Sequence, residues 1–284
     1  MKTLHHRGPD TQGLWQNVGV GMAHTRLAII DLSKGARQPM LSADGRFVLV
    51  FNGEIYNYRE LREELAGYPF VTKSDTEVIL AAYAAWGTKA FARFDGMFAL
   101  ALYDTRTREL LLVRDPLGKK PLYWSRQGNT FAFGSELKAL HAHPTIMCTL
   151  DPRSLAHYLA REYVPTPRTI FYDIQKLMPG TYLRVRDTAI TEERFWEPNH
   201  AMPVPGSRDE AQKQLDALLV EAVGKRMVTD VPLGVFLSGG IDSSTVAYYA
   251  AQASKQKIQT FSIGFNEGSF DESPMARLVA AHLG

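Results

Sequence analysis

Two folds of different class are predicted along this chain: an α+β unit over residues 1–197, then the start of an α/β unit with a parallel sheet over residues 208–284. Three observations predict them. Strand-like runs cluster in the first half, broken by two helical patterns without regular strand–helix alternation. A proline-rich stretch, EPNHAMPVPGS from Glu197 to Ser207, then interrupts the pattern, and residues 198–207 are assigned as a linker. Beyond it, helix, strand, Gly/Ser loop, helix and strand follow in the order a parallel sheet requires.

In the first unit, Phe47 to Phe51 (FVLVF) is a continuous apolar run ending at Asn52-Gly53, a turn signal. Leu61, Leu65 and Tyr68 recur at helical spacing with charged residues on the other face. A second helix carries Val78, Ile79, Ala82, Tyr83 and Trp86 on one stripe and stops at Gly87. Residues 97–103, 110–113, 130–133 and 182–185 read as further strands. In the second unit, Ala211, Leu215, Leu218, Ala222 and Met227 mark a helix, residues 235–237 a strand, 245–253 a helix and 260–265 a strand. A single strand–helix–strand unit cannot cover both faces of a parallel sheet, so this second fold is expected to be cut short.

The balance of 45% hydrophobic and 22% charged residues is that of an ordinary globular protein. A net charge of +2 gives no argument for nucleic acid or a membrane surface as partner. No apolar run approaches a membrane span, and the opening MKTLHHRGPD is too polar for a secretory signal. Cys148 is the one cysteine, which excludes an internal disulfide and fits a cytoplasmic, metabolic protein.

The sharpest local signal is Leu237-Ser238-Gly239-Gly240-Ile241-Asp242-Ser243-Ser244. An apolar strand feeds a Gly-Gly turn, and serines open a helix. Glycines let backbone approach an anion, while free N–H groups at a helix start and hydroxyls of Ser238, Ser243 and Ser244 can donate to phosphate oxygens. It lacks the Gly-Lys-Ser/Thr ending of a Walker loop and is not a G-x-G-x-x-G fingerprint. A glycine-rich turn with a serine N-cap is the alternative reading of the same residues.

SGGIDSS after an apolar strand resembles the pyrophosphate loop of the ATP pyrophosphatases that make acyl-adenylates, asparagine synthetases among them. The resemblance implies cleavage of ATP to AMP and pyrophosphate, with contacts from Leu237, Ser238, Gly239, Gly240, Ser243 and Ser244, magnesium held with Asp242, and adenine met by the backbone at Ile263. Asp271-Glu272 also fits that family, or is a solvated acidic turn.

Segments of the first unit are similar, in the same order, to the class II glutamine amidotransferase domain of asparagine synthetases. They are HRGPD (6–10), RLAIID (26–31), NGEIYN (52–57), SDTE (74–77), GMFA (96–99), RDPLGKKPLY (114–123) and SELK (135–138). The resemblance implies an N-terminal-nucleophile-hydrolase fold of stacked antiparallel sheets flanked by helices. Chemistry and motif agree on the site. Free glutamine needs a cation and an anion, which Arg26 and Asp75 offer to its carboxylate and ammonium. Amide cleavage passes through a tetrahedral oxyanion, for which the resemblance supplies the Asn52 side-chain amide and the Gly53 N–H, with Glu54 lining the site.

The catalytic residue itself is not expected in this chain. The family's nucleophile is an N-terminal cysteine whose α-amino group is the base, whereas Lys2 follows Met1 and nothing places Cys148 near Asn52-Gly53. The protein is therefore expected to begin upstream, on a strand carrying that cysteine, and to continue past Gly284. His5 and His6 lack a third ligand and are read as structural. Arg114, Lys119 and Lys120 could suggest phosphate binding, but a structural role beside the sheet is preferred.

The function implied is an ATP-dependent ligase: glutamine hydrolysis supplies ammonia to a β-aspartyl-adenylate, giving asparagine, glutamate, AMP and pyrophosphate, with Mg2+ and a homodimer at full length. A relative amidating another carboxylate, such as a polysaccharide intermediate, is the nearer alternative. A non-catalytic module binding glutamine or ATP is the other.

Overall fold

The computed structural model describes residues 1–199 and 206–284, so most of the linker predicted at 198–207 lies outside the described residues. The chain divides into two compact units, Met1–Pro198 and Asn199–Gly284.

The first unit runs β1 (Thr11–Asn17), β2 (Val20–Arg26), β3 (Met40–Leu41), β4 (Phe47–Ile55), α1 (Tyr58–Glu64), α2 (Asp75–Trp86), β5 (Gly96–Asp104), β6 (Glu109–Arg114), β7 (Tyr123–Gln127), β8 (Thr130–Gly134), α3 (Leu137–His141), α4 (Pro152–Arg161), β9 (Ile174–Lys176), β10 (Thr181–Arg186) and β11 (Ala189–Arg194). One layer is a six-stranded antiparallel sheet in the order β11-β10-β6-β5-β4-β3. The other consists of the β1-β2 hairpin and a three-stranded antiparallel sheet, β8-β7-β9.

Val48, Val50, Ala99, Ala101, Leu112 and Leu183 of the larger sheet pack with Met22, and with Trp15, Trp124, Phe131 and Phe133 of the smaller ones. The alternate residues of β4 turn to the helices, where Phe47 meets Tyr83 of α2 edge-to-face at 5.1 Å. A strand covered on both faces is apolar at every position, which is why FVLVF does not alternate. These are the stacked antiparallel sheets with flanking helices that the sequence led us to expect.

β4 corrects one expectation. It does not turn at Asn52-Gly53 but runs on to Ile55, with Asn52 opposite Ala99 and Gly53 opposite Phe98. Gly53 is needed for room: a Cβ there would lie 2.0 Å from the Met97 carbonyl oxygen and 2.8 Å from the Phe98 Cα. Nor does Tyr68 extend the first helix, which ends at Glu64; the Tyr68 hydroxyl instead accepts from the Ala43 N–H at 3.0 Å.

Arg114-Asp115 is a scaffold, as preferred from the sequence. The buried guanidinium donates to the carbonyls of Gly118, Lys120 and Leu177 at 2.7–2.9 Å. Asp115, 1% exposed, accepts from the backbone N–H groups of Phe98, Leu117, Lys119 and Lys120 at 2.9–3.1 Å. His6 and Arg7 pair with Glu136, each at 3.1 Å.

The second unit runs α5 (Arg208–Arg226), β12 (Gly234–Phe236), α6 (Ile241–Ala253), β13 (Gln259–Phe261) and α7 (Ser273–Leu283). Ser207 and Glu210 form a reciprocal capping box at the start of α5. β12 and β13 pair in parallel around α6, the strand–helix–strand order expected. Leu237 lies just past β12 rather than within it, β13 stops at Phe261 rather than 265, and α7 had no counterpart in the sequence reading. No helix among the described residues is long and apolar enough to cross a membrane.

Candidate functional site

In the first unit, Arg26 ends β2, Asn52, Gly53 and Glu54 occupy the far end of β4, and Asp75 opens α2. The Ser74 hydroxyl caps α2 by accepting from the Glu77 N–H at 3.3 Å. Glu77 in turn accepts from the N–H groups of Val71 and Thr72 at 2.9 and 2.7 Å, which fixes the chain entering Asp75.

Arg26 is 8% exposed. Its Nη2 donates to the carbonyl oxygens of Ile30 and Asp31 at 3.0 and 2.8 Å, so part of the fork already holds the following loop. Burial lowers its pKa, and the nearby charges of Asp31, Asp75 and Asp10 oppose that shift. Asp75 is 5% exposed and its Oδ2 accepts from the Ile55 N–H at 3.1 Å. Burial pushes its carboxyl up to about 7; N–H groups at Ile55 and Thr76 pull the other way, and the charge of Glu54 adds to the rise. The charge of Asp75 thus acts on Arg26 and that of Glu54 on Asp75, which links buried Arg26 and Asp75 with half-buried Glu54 at the end of β4.

Asn52 opens differently. Its Nδ2 is buried without a hydrogen-bond partner, and Asn52 lines a cavity of about 660 Å³ between the larger sheet, the β1-β2 hairpin and β8. Arg26, Gly53, Glu54 and Asp75 are outside that lining, but Thr25 and Asn52, the chain neighbours of Arg26 and Gly53, belong to it. Cys148 is also outside it. That thiol packs near Leu140, Ile146 and Ile174, and burial raises its pKa, the opposite of an activated nucleophile.

The sequence reading missed His24. Its Nε2 lies 3.0 Å from the Phe51 carbonyl oxygen, it lines the cavity, and its Nδ1 is buried without a partner. A histidine two positions before Arg26 on a mixed-polarity strand gives no signal of this in the sequence.

In the second unit, residues 237–244 form a strand–turn–helix loop. Gly239 has φ +84°, a left-handed backbone suited to glycine. A Cβ there would strike Met275 Cβ at 2.6 Å and the Ala276 N at 2.8 Å, so α7 packs on this glycine. Gly240 is different: the nearest atom to a Cβ would be Ser238 Oγ at 3.4 Å. The hydroxyls of Ser238 and Ser243 are 2.9 Å apart and also engage Ser238 N–H, Gly240 N–H and the Gly240 carbonyl. These serines shape the loop before they bind anything.

Ser244 Oγ is buried and unpartnered. Leu237 is 2% exposed and packs with Ala247 and Ala276, which leaves only its backbone for a nucleotide. Ile263 is 69% exposed. The orphan Ser244 hydroxyl is a donor that an anionic group would satisfy. Among the described residues no three His, Cys, Asp or Glu side chains group to hold a metal. Asp242, in the first turn of α6, is a lone carboxylate, which suits Mg2+ shared with nucleotide phosphates rather than a metal caged by protein.

Comparison with known proteins gives two family matches: residues 1–196 to the glutamine amidotransferase domain and residues 214–284 to asparagine synthase. A Mycobacterium tuberculosis relative is 40% identical over 300 residues, covering 99% of this chain and 46% of its own. A Bacillus subtilis protein named glutamine-hydrolysing asparagine synthetase is 39% identical over 282 residues, covering 98% and 44%. A Gibberella zeae protein named as an amidase is 34% identical over 303 residues, covering 99% and 44%. The chain spans about half the length of the curated relatives it matches.

Proposed function

Since the chain belongs to the glutamine-hydrolysing asparagine synthetase family, we propose that it carries the glutamine site and the pyrophosphate loop of an ATP-dependent amidotransferase. In this reading the first unit binds glutamine and stabilises hydrolysis of its amide. The complete protein delivers the ammonia to an aspartyl-adenylate and releases asparagine, glutamate, AMP and pyrophosphate.

The observation that carries the proposal is the coupled group at the end of β4. A buried arginine and a buried aspartate of raised pKa form a selective receptor for an amino acid's two charged ends. The free donors of the Arg26 fork bind the α-carboxylate. Asp75 binds the α-ammonium, which holds the carboxylate ionised. Asn52 Nδ2, which has no protein partner, donates to the amide oxygen as it becomes an oxyanion, together with the Gly53 N–H. Glu54 lines the glutamine site.

In the second unit, the backbone of residues 237–240 with Ser243 and Ser244 holds the pyrophosphate of ATP, Ile263 meets the adenine, and Asp242 contributes to a Mg2+ site. The metal's contribution is to neutralise charge on the departing pyrophosphate. The full-length protein is expected to be a cytoplasmic homodimer.

The decisive experiment compares glutamine- and ammonia-dependent synthesis by the full-length protein. Arg26→Ala and Asp75→Asn should each raise KM for glutamine while ammonia use stands. Loss of both activities together in a folded Asp75→Asn variant would remove it from the glutamine site. A second reading keeps the same loop chemistry with a different carboxylate acceptor in place of aspartate. Carboxylate-dependent exchange of pyrophosphate into ATP discriminates the two.

A further inference from the structure

His24 and Asn52 both line one cavity, and each carries a buried hydrogen-bonding atom that no protein group satisfies. Phe51 contributes only a carbonyl oxygen to the 3.0 Å contact with His24, so Nε2 must be the protonated nitrogen there. Burial lowers the His24 pKa to about 4, with the charge of Arg26 acting in the same direction, and the ring is neutral. A neutral imidazole protonated at Nε2 presents a lone pair at Nδ1, and that atom is buried with no partner. Asn52, the residue after Phe51, presents an unpartnered Nδ2 donor. Both residues line the same cavity of about 660 Å³.

A buried acceptor and a buried donor are each costly to leave unsatisfied, so a ligand group that donates to the one and accepts from the other would relieve both. A primary carboxamide does both. A carboxylate of nearly the same shape only accepts, and turns a negative oxygen toward the Nδ1 lone pair.

We propose that His24 reads the amide of the substrate: its Nδ1 accepts an N–H from the carboxamide whose oxygen Asn52 holds, so that the site takes glutamine and rejects glutamate. The inference rests on the glutamine-site reading above and deepens it. It also gives hydrolysis a direction. Once the amide nitrogen has left, the product carboxylate cannot satisfy His24, and the affinity that held the substrate is lost on the product.

Two substitutions separate reading from support. His24→Gln reaches the Phe51 carbonyl with a side-chain N–H, as Nε2 does, but removes the Nδ1 acceptor. His24→Asn places an acceptor near Nδ1 but gives up the bond to Phe51. The probes are L-glutamine and L-glutamate, titrated calorimetrically into the 284-residue chain. The wild-type chain should favour glutamine by roughly tenfold or more, since one partner left unsatisfied in a dry site is worth about that factor. His24→Gln should bring the two ligands to within about threefold at unchanged Tm, and His24→Asn should keep the preference at lower Tm.

If either variant fails to fold, long-range 1H–15N spectra of the wild-type imidazole decide the matter. The Nδ1 resonance should move upfield with glutamine and stay in place with glutamate. Preserved discrimination in folded His24→Gln, or equal Nδ1 shifts with both ligands, would overturn the role of His24 alone. Failure of the wild-type chain to bind glutamine at all would overturn the glutamine-site reading, and this inference with it.

Discussion

The Asp75 carboxylate accepts the Ile55 backbone N–H at 3.1 Å, which ties the first turn of α2 to the last residue of β4. A group so buried, with the Glu54 charge nearby, holds its proton up to about pH 7, whereas the ordinary carboxyl value is 3.8. Below about pH 4 the folded and unfolded chains are both protonated here, and the group is neutral to stability. Between pH 4 and 7 the unfolded chain loses the proton that the folded chain keeps, so stability falls as pH rises and levels off above 7. Asp75→Asn removes that penalty. Its Tm should equal that of the wild type at pH 4 and exceed it at pH 8, and a higher Tm for the wild type at pH 8 would contradict the raised pKa.

The same titration couples to ligand. An α-ammonium needs the ionised carboxylate, so glutamine binding should release a proton near neutrality and tighten as pH rises from 6 to 8. Calorimetry in buffers of different ionisation enthalpy counts that proton. No release at pH 6.5 would separate Asp75 from the ammonium.

Gly53 faces the backbone of β5, and Gly53→Ala should cost about 2 kcal/mol or more by forcing the strands apart. Urea unfolding reads this directly, and a variant as stable as wild type would mean the strand yields without cost.

Asp115→Ala should be worse. It strips four backbone N–H groups of their acceptor, the buried one of Phe98 among them, a loss of about 3 kcal/mol. A Tm within a degree or two of wild type would show the loop to be held by something else.

The two loop glycines should divide by phenotype. Gly239→Ala meets α7 at Met275 and should lower the stability of the second unit. Gly240→Val has room in the free protein and should leave the Tm alone while suppressing exchange of pyrophosphate into ATP in the full-length protein. Normal exchange in folded Gly240→Val would reduce the loop to a capped turn.

Sequence alone exposed elements whose two faces meet the same environment, and hid those whose faces differ irregularly. FVLVF and α2 are apolar because both sides of β4 are covered. β1 of the β1-β2 hairpin does alternate in burial, but Leu14 takes an exposed position and Gly13 a half-buried one, so residue type does not follow the alternation. Asn52-Gly53 misled because a glycine demanded by a close neighbour looks the same in one dimension as a glycine demanded by a turn. Arg26, Asn52, Gly53, Glu54 and Asp75 emerged as candidates through the ordered motifs. Their state did not: that Arg26 already holds two carbonyls, that Leu237 is core, or that Ser238 and Ser243 bond each other depends on contacts the sequence pattern does not specify.

β4 and β5 stay in one unbroken register for nine pairs, from Phe47 opposite Asp104 to Ile55 opposite Gly96. The Arg46–Asp104 ion pair clamps one end, and at the other Gly53 and Gly96 each face backbone too near to admit a Cβ. Such a pair has no slack. A one-residue insertion or deletion in β4 before Asn52 would exchange the inward and outward faces of the rest of the strand, moving Asn52 off the cavity and setting a bulky side chain where only glycine fits. The β1-β2 turn at Val18-Gly19, exposed and with nothing near Gly19, should by contrast accept added residues freely. In an insertion scan β4 and β5 would stand out as an intolerant stretch bounded by tolerant turns, a signature of registration rather than of chemistry.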